Sequence, residues 1–525
     1  MFARREFLKQ IGSATAGFFL LPALSLARAP ANTHNFLSLP RSTPEAQGVS
    51  SGVILGFLDA INASGQEFHS IMVIRHGHVI AEGWWYPYSA NRKQQQYSLS
   101  KSFTGTAIGL AADEKLLTIE DPVISFFPND KPATISTNLA SLKVKHLLSM
   151  SVGQEKDSIL LLEKTPSDER WEKTFLNLPV VYEPGIHFLY NSGASYMLSS
   201  IIRQVSGHST HEFLGPRLYE PLGITGATWT ENAEGNNMGA SHLRIRTEDI
   251  AKFGQLYLQQ GRWGTKQILS KEWVALATKK EIDNGKNDSS WAYGYGYQFW
   301  MNPPGGFRAD GAYGQYSIVF PDKDTVVAIT SESADKAATM QTVWDHLYPG
   351  IKENSRRLPP NVADYDQLQK ELKALAYKPP VFNSRSPLSA SISGRKFILD
   401  SNEFNAKAVS FTFFGNKTIF RLIEEGKPDI VITCGMKDWI IGNNKKPSAH
   451  SLFSLRRIDF DSLVAAGATW KDDHTLLLTF RFTETAHGDS LTCIFDDDRL
   501  RIQFLFSAAR LEKRPDDRPD ITGHL

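Results

Sequence analysis

Residues 97–115 read YSLSKSFTGTAIGLAADEK, a pattern that predicts an amphipathic helix beginning at Ser98. A helical residue and its third successor share one face, so the Lys101 amine is expected beside the Ser98 hydroxyl. Burial at the start of this helix favours the neutral form of the lysine, which can then act as a base. The Ser98 amide at the helix N-terminus can stabilise an oxyanion. An N-capping serine followed by an exposed lysine is the alternative interpretation.

The Ser-x-x-Lys spacing is weak evidence by itself, because it also occurs at Ser333/Lys336 and Ser393/Lys396. The first of these pairs follows a predicted strand, and the second lies in a predicted loop beside a glycine. Neither pair opens an amphipathic helix. The context therefore favours the pair that begins at Ser98.

On both sides of this stretch the sequence predicts β-hairpins. Residues 70–75 and 79–84 are β-rich runs around a turn, and residues 316–320 and 326–330 form a second such pair. Helical and loop signals fill the sequence between the two hairpins. We therefore expect an α+β fold, in which one antiparallel sheet is flanked by helices and carries an inserted helical lobe.

The sequence changes character after this domain, which is assigned to residues 30–353. Residues 354–391 are rich in proline around one short helical stretch, and they are interpreted as a linker. Residues 475–483 and 499–506 alternate apolar and polar side chains, as half-buried antiparallel strands do. A C-terminal all-β domain, a small barrel or sandwich, is expected over residues 392–525.

Charge and cysteine content exclude several classes of protein. Lys and Arg number 57 and Asp and Glu number 56, so the formal charge is +1, which argues against nucleic acid as a partner. Two cysteines exclude a disulfide scaffold and a four-cysteine zinc site. Cys434 and Cys493 are expected as two separate buried thiols, with a late disulfide as the alternative. The sequence implies no metal and no organic cofactor.

The N-terminus has the features of an export signal. Arg4 and Arg5 precede an apolar run over residues 11–26, and Ala27-Arg28-Ala29 fits a cleavage site. We expect a twin-arginine signal peptide over residues 1–29 and a periplasmic protein, with a membrane anchor as the alternative. The rest of the sequence contains no other apolar run long enough to span a membrane.

Several ordered motifs together resemble one known group of enzymes. The motifs are residues 97–104, 116–123, 144–150, 183–192 and 249–256. They are similar to those of the serine β-lactamase and penicillin-binding-protein superfamily, and most of all to its class C-like serine hydrolases, which include esterases and amidohydrolases. The resemblance covers about residues 45–345 and implies a β-lactamase/transpeptidase-like fold. The C-terminal region looks like the β-rich appendage of some of these hydrolases.

The resemblance also implies roles for individual residues. Ser98 would be the nucleophile and Lys101 the base that activates it. Tyr190 would share proton transfer with Lys101, either as a tyrosinate or as a relay to the leaving group. Ser192 would contact the substrate, and it stands where many relatives have an asparagine, so it offers one donor in place of an amide group.

A third motif of the superfamily matches residues 308–315. Gly311 would let the substrate backbone approach, and the amide of Ala312 would be the second oxyanion donor beside that of Ser98. Ala309 stands at the position of the usual lysine or histidine, which counts against penicillins and D-Ala-D-Ala peptides as substrates. Arg308 would replace that cation only if the strand register turned it toward the site.

Trp85 belongs to an aromatic cluster, residues 84–88, that leads toward the nucleophile. Such a cluster can line a pocket for the acyl group and so bind substrate. The alternative is an aromatic core between the sheet and the lobe.

These features predict a periplasmic serine hydrolase that cleaves an ester or amide bond of a small molecule through an acyl-enzyme on Ser98. A β-lactamase or D,D-peptidase is the alternative within the same class. A catalytically inactive binding or regulatory protein on the same fold is a further alternative. The sequence leaves the oligomeric state open.

Overall fold

The computed structural model describes residues 38–285, 289–444 and 462–525. The predicted signal peptide lies outside the described residues. The described chain forms a sheet-and-helix domain, here the N-terminal domain, and a C-terminal barrel. No helix within these ranges is long and apolar enough to cross a membrane.

The N-terminal domain is built on an antiparallel sheet. Its strands are β1 (Glu67–Arg75), β2 (His78–Trp84), β3 (Gln94–Gln95), β4 (Thr228–Trp229), β5 (Leu243–Ile245), β6 (Arg262–Trp263), β7 (Lys266–Gln267), β8 (Trp300–Met301), β9 (Phe307–Gly311), β10 (Gln315–Phe320) and β11 (Thr325–Glu332). The main sheet has the order β2-β1-β11-β10-β9-β8. Both predicted hairpins are confirmed, and Ile71 of β1 pairs with Ile329 of β11. Strands from both ends of the domain therefore meet in one sheet, which confirms the predicted α+β fold.

Helices cover both faces of this sheet. They are α1 (Ser51–Ala63), α2 (Ser100–Asp113), α3 (Thr137–Ser141), α4 (Val144–Leu148), α5 (Ile159–Leu162), α6 (Trp171–Asn177), α7 (Ser192–Ser206), α8 (Thr210–Leu214), α9 (Glu220–Leu222), α10 (Thr247–Leu258), α11 (Lys271–Ala277), α12 (Lys336–Thr342) and α13 (Val362–Ala374). Side chains alternate along a strand, so Met72 of β1 joins the core with α2, α7 and α10, whereas Ile71 joins the core with α1, α12 and α13.

Helix α13 lies inside the segment that the sequence predicts as a linker. Its Leu368 and Leu372 are buried in the core with α1. A side chain added at Gly83 of β2 would come within 3.0 Å of Leu372, so the helix lies close against that strand. Part of the segment at residues 354–391 is therefore packed into the N-terminal domain.

The C-terminal region forms a barrel, which confirms the predicted all-β domain. Its strands are β12 (Lys396–Leu399), β13 (Ala406–Phe414), β14 (Lys417–Glu424), β15 (Ile430–Gly435), β16 (Ile440–Asn444), β17 (Ser462–Trp470), β18 (Thr475–Phe482), β19 (Gly488–Asp496), β20 (Arg499–Phe506) and β21 (Ile521–His524). Two short helices, α14 (Leu388–Ile392) and α15 (Ser507–Leu511), accompany them. The sheet order is β15-β14-β13-β12-β21-β20-β19-β18-β17-β16, and a pairing of Gly435 with Gly467 closes the barrel.

The barrel interior contains the two cysteines. Cys434 and Cys493 are both buried and both free. Burial raises the pKa of both thiols, because a thiolate is poorly solvated among apolar side chains.

Candidate active site

Ser98 lies in a turn of 3₁₀ helix, Tyr97–Leu99, that leads directly into α2. The α-helix itself begins at Ser100, two residues later than the sequence predicts. Tyr97 has a φ of 47°, in the left-handed region that most side chains avoid. The Ser98 side chain is partly exposed while Lys101, on the first turn of α2, is only 2 % exposed. This placement leaves the serine accessible and removes water from the lysine.

The Lys101 amine contacts the predicted nucleophile. Its Nζ donates to Ser98 Oγ at 3.2 Å and to the backbone oxygen of Ala240 at 2.9 Å. Burial lowers the pKa of Lys101 to about 7, against the opposing charge of Asp157. The positive charge of Lys336 lowers this pKa as well. Near neutral pH a large fraction of the amine is unprotonated and can accept the Ser98 proton.

Tyr190 lies beside this amine and beside Ser98. Its ring stacks on Trp300 with the centroids 5.3 Å apart, and Lys101 Nζ lies 4.8 Å from the ring centre. Burial raises the pKa of the Tyr190 hydroxyl, and a hydrogen bond with Ser98 only partly opposes this effect. The hydroxyl is therefore protonated at neutral pH, which favours the relay role over the tyrosinate.

Helix α7 begins at Ser192, two residues after Tyr190. The Asn191 side-chain oxygen caps the helix by accepting from Gly193 N at 3.0 Å, and the Ser192 amide donates to Asp157 Oδ1 at 2.8 Å. Ser192 is half-buried at this helix end. The structure thus brings Ser192 to the same helix terminus as Tyr190, with the Asp157 carboxylate beside it.

The end of β9 packs closely against the segment that precedes Ser98. A Cβ added at Gly311 would lie 2.3 Å from the backbone oxygen of Gln96, so only glycine permits this approach. Ala312 follows in the turn toward β10, and Gln315 Nε2 donates to its backbone oxygen at 3.2 Å. Gly311 and Ala312 are therefore brought to the Ser98 segment.

The neighbouring residues of β9 show which cations are near the site. Ala309 is fully buried in the core with α2. Arg308 is also fully buried, and it donates to Asp310 Oδ2 and to the backbone oxygen of Met301, each at 3.0 Å. Arg308 thus pairs with Asp310 and does not take the place of the cation that the resemblance implies at the position of Ala309. Lys336 Nζ, which is partly exposed, lies 3.4 Å from Asp310 Oδ1.

Two charged residues near Lys101 were missed at the level of sequence. Asp157 lies in a loop with no motif, and Lys336 belongs to the Ser333/Lys336 pair, which opens no amphipathic helix. No local spacing connects either residue to Lys101, so only the fold reveals their influence on its pKa. In the described ranges, no group of three or more His, Cys, Asp or Glu side chains is arranged to hold a metal ion.

Trp85 is not brought together with these residues. It is 4 % exposed and lies in the core with α1 and α13, with its ring 5.9 Å from that of Phe68. That core is on the opposite face of the sheet from α2. Its position is that of a core aromatic and not that of a pocket wall beside Ser98.

The chain is similar to several known proteins. A family model described as Beta-lactamase matches residues 65–347. The 6-aminohexanoate-dimer hydrolase of Paenarthrobacter ureafaciens is 23% identical over 303 residues, 54% of this chain and 76% of that protein. The D-aminopeptidase of Brucella anthropi is 24% identical over 167 residues, 29% of this chain but only 31% of that protein. Among solved structures, the octameric penicillin-binding protein homologue from Pyrococcus abyssi aligns with a TM-score of 0.46 and 15% identity, over 90% of this chain and 99% of that chain.

Proposed function

Because the chain belongs to the beta-lactamase family, we propose that it is a serine hydrolase that cleaves an amide bond of a small molecule, and activated esters as well, through an acyl-enzyme on Ser98. One observation carries the proposal: the buried Lys101 amine, with its pKa lowered to about 7, donates a hydrogen bond to the partly exposed Ser98 hydroxyl. The names of two relatives, a hydrolase of an aminohexanoate dimer and an aminopeptidase, support an amide substrate.

Acylation uses these groups in sequence. Neutral Lys101 accepts the Ser98 proton while Oγ attacks the substrate carbonyl carbon. The negative charge on the carbonyl oxygen is stabilised by the amides of Ser98 and Ala312. The Tyr190 hydroxyl gives its proton to the leaving nitrogen as the carbon–nitrogen bond breaks, and the Lys101 ammonium then reprotonates Tyr190. Both groups end this step in their starting states.

Deacylation repeats the transfer with water. The pair of Lys101 and Tyr190 removes a proton from the attacking water, and the same two amides hold the second oxyanion. When the ester bond to Oγ breaks, the proton returns to Ser98. The products are a carboxylic acid and the amine released earlier, so atoms and charge balance over the cycle.

Two serine variants test the proposal. Ser98→Ala is expected to lose turnover of p-nitrophenyl butyrate and of amino-acid amides to below about 1 % of the wild-type rate. The matched control is Ser393→Ala, which removes the serine of another Ser-x-x-Lys pair, one whose Oγ accepts from Phe413 N in the barrel. A fluorophosphonate should add its mass to the wild type and to the control but not to Ser98→Ala. Turnover that survives in Ser98→Ala, or a wild type that takes no label, would refute the proposal.

We also propose that the protein is exported to the periplasm, on the basis of Arg4 and Arg5 before the apolar run. Replacing both by lysine keeps the charge but removes the twin arginines. The expected result is a protein retained in the cytoplasm, measured by cell fractionation. Equal export of both forms would contradict this route.

A further inference from the structure

One hairpin of the barrel contacts the N-terminal domain at the segment that leads to Ser98. Residues 483–487 connect β18 to β19. The Gln95 amide of β3 donates to the backbone oxygen of Glu484 at 3.0 Å. Because Gln95 precedes Ser98 by three residues, this bond connects the barrel to the segment that leads to the nucleophile.

The side chain of His487 extends this contact to both sides of the site. Its ring lies edge-on to that of Tyr313, with the centroids 4.5 Å apart, and to that of Tyr97 at 5.9 Å. The two tyrosine rings are 5.3 Å apart from each other. Tyr97 directly precedes Ser98, and Tyr313 directly follows Ala312. One imidazole therefore contacts the neighbours of both amides assigned to the oxyanion.

Both tyrosines have backbone conformations that need support. Their φ angles, 47° at Tyr97 and 62° at Tyr313, lie in the left-handed region. Such conformations cost about 1–3 kcal/mol each for residues other than glycine, and they persist only where the surroundings hold them. Ring packing from His487 is one such constraint. Loss of that packing is expected to loosen the two backbone segments that carry the amides.

The N-terminal domain in turn holds His487 in place. Its Nδ1 is hydrogen-bonded to Glu332 Oε1 at 2.8 Å, and Ser507 Oγ donates to the same carboxylate oxygen. Glu332 is the last residue of β11 and is 1 % exposed, while His487 is 8 % exposed. The imidazole is therefore fixed from two directions, by a buried carboxylate and by the tyrosine rings.

A second acidic residue contributes to the same contact between the domains. Glu67 pairs with Glu332 across β1 and β11, and carboxylates on paired strand positions repel each other. The barrel supplies a partner for each, because Arg481 donates to Glu67 and His487 bonds to Glu332. This complementarity defines the position of the barrel against the end of the sheet where β1 begins and β11 ends, and with it the position of His487.

We propose that His487 is a positioning residue for acyl transfer, through which the barrel holds Tyr97 and Tyr313 and so keeps the amides of Ser98 and Ala312 at their catalytic spacing. The inference rests on the proposed function, since it concerns the same oxyanion site. It makes the C-terminal barrel a structural part of the active site.

The kinetic test uses two substitutions of His487 and one control. His487→Ala should lower kcat on p-nitrophenyl butyrate by about ten- to hundredfold with little change in KM, because small displacements of catalytic groups cost rates of this order. His487→Phe restores the ring and should recover most of the loss. The control is Trp439→Phe, which removes a different contact between the domains, the bond from Trp439 Nε1 to Tyr377 O, and should keep the wild-type kcat. Glu332→Gln, which keeps the shape of the partner, should show a smaller loss of kcat than His487→Ala.

A readout independent of turnover completes the test. Hydrogen–deuterium exchange at the amides of residues 311–315 should be faster in His487→Ala than in the wild type and in Trp439→Phe. Wild-type kcat and wild-type exchange in His487→Ala would overturn the inference, and so would a His487→Phe variant as impaired as His487→Ala. A failure of the proposed function is distinguishable, because the wild type would then take no fluorophosphonate on Ser98 while the exchange comparison would still report on positioning.

Discussion

The amine of Lys101 lies 3.2 Å from the hydroxyl oxygen of Ser98, and the lysine that carries it is almost fully buried. The short distance and the burial of the lysine are both needed for proton transfer. The distance permits proton transfer, and the burial lowers the pKa of the amine to about 7 so that it can receive the proton near neutral pH. The other proposed catalytic groups act around this pair.

The first prediction concerns pH. Because only the neutral amine of Lys101 accepts a proton, kcat/KM should rise with pH up to about pH 7 and then level off. Below that pH the rate should fall about tenfold per unit, as the ammonium form accumulates. The measurement is hydrolysis of a neutral ester between about pH 5 and 10. A flat profile, or the same acid limb in Lys101→Met, would exclude this base.

The second prediction separates two roles of Tyr190. If the protonated hydroxyl relays a proton to the leaving group, Tyr190→Phe should lower kcat/KM, which reports the acylation step, by about 10²–10⁴-fold on an amide. The loss should be smaller on a p-nitrophenyl ester, since nitrophenolate leaves without a proton. Tyr293→Phe, at an exposed tyrosine, is the control and should change neither rate. Equal losses on both substrates would contradict the relay.

The third prediction uses the charges near Lys101. Lys336→Met removes a cation that lowers the pKa of Lys101, so the acid limb should move to higher pH. Asp157→Asn removes an anion that raises this pKa, so the limb should move to lower pH. The control is Lys323→Met, which removes a lysine that lies over the ring of Tyr348, and it should leave the acid limb at the same pH. Shifts in the same direction for the first two variants would disprove the electrostatic account.

The fourth prediction concerns substrate charge. The resemblance to the superfamily implies a lysine or histidine at the position of Ala309, and the Arg308 guanidinium pairs with Asp310. A missing charge-assisted hydrogen bond is worth about 1.5–3 kcal/mol, or roughly 10- to 150-fold in kcat/KM. p-Nitrophenyl butyrate should therefore be hydrolysed faster than nitrocefin at matched concentrations. Faster turnover of nitrocefin by the wild type would favour a β-lactamase.

The fifth prediction concerns α13, which follows the N-terminal domain in the sequence. Leu368 is fully buried in the core with α1, so Leu368→Ala should destabilise the N-terminal domain by about 2–5 kcal/mol. Val362→Ala on the same helix is 67 % exposed and should cost less than about 0.5 kcal/mol. Thermal unfolding followed by activity loss measures both. Equal midpoints for the two variants would show that α13 contributes nothing to this core.

The sequence alone was sufficient for features that repeat over a few residues. Runs of β-forming residues around turns predicted both hairpins of the N-terminal sheet, and strand alternation predicted the β18 and β20 strands of the barrel. The three-residue spacing of Ser98 and Lys101 predicted their contact. Periodicity of this kind follows from backbone geometry, so it can be read from neighbouring residues.

Only the tertiary structure decided which face of the sheet each side chain occupies and which distant elements are in contact. Trp85 lies on the opposite face of the sheet from α2, and the Arg308 guanidinium pairs with Asp310. Both placements follow from sheet register and packing, which assign each side chain to one face. His487 reaches Glu332 over 155 residues of sequence, and no local pattern encodes that meeting. The lowered pKa of Lys101 has the same origin, since its largest cause is burial, and burial is created by elements far apart in the chain as they exclude water from the amine.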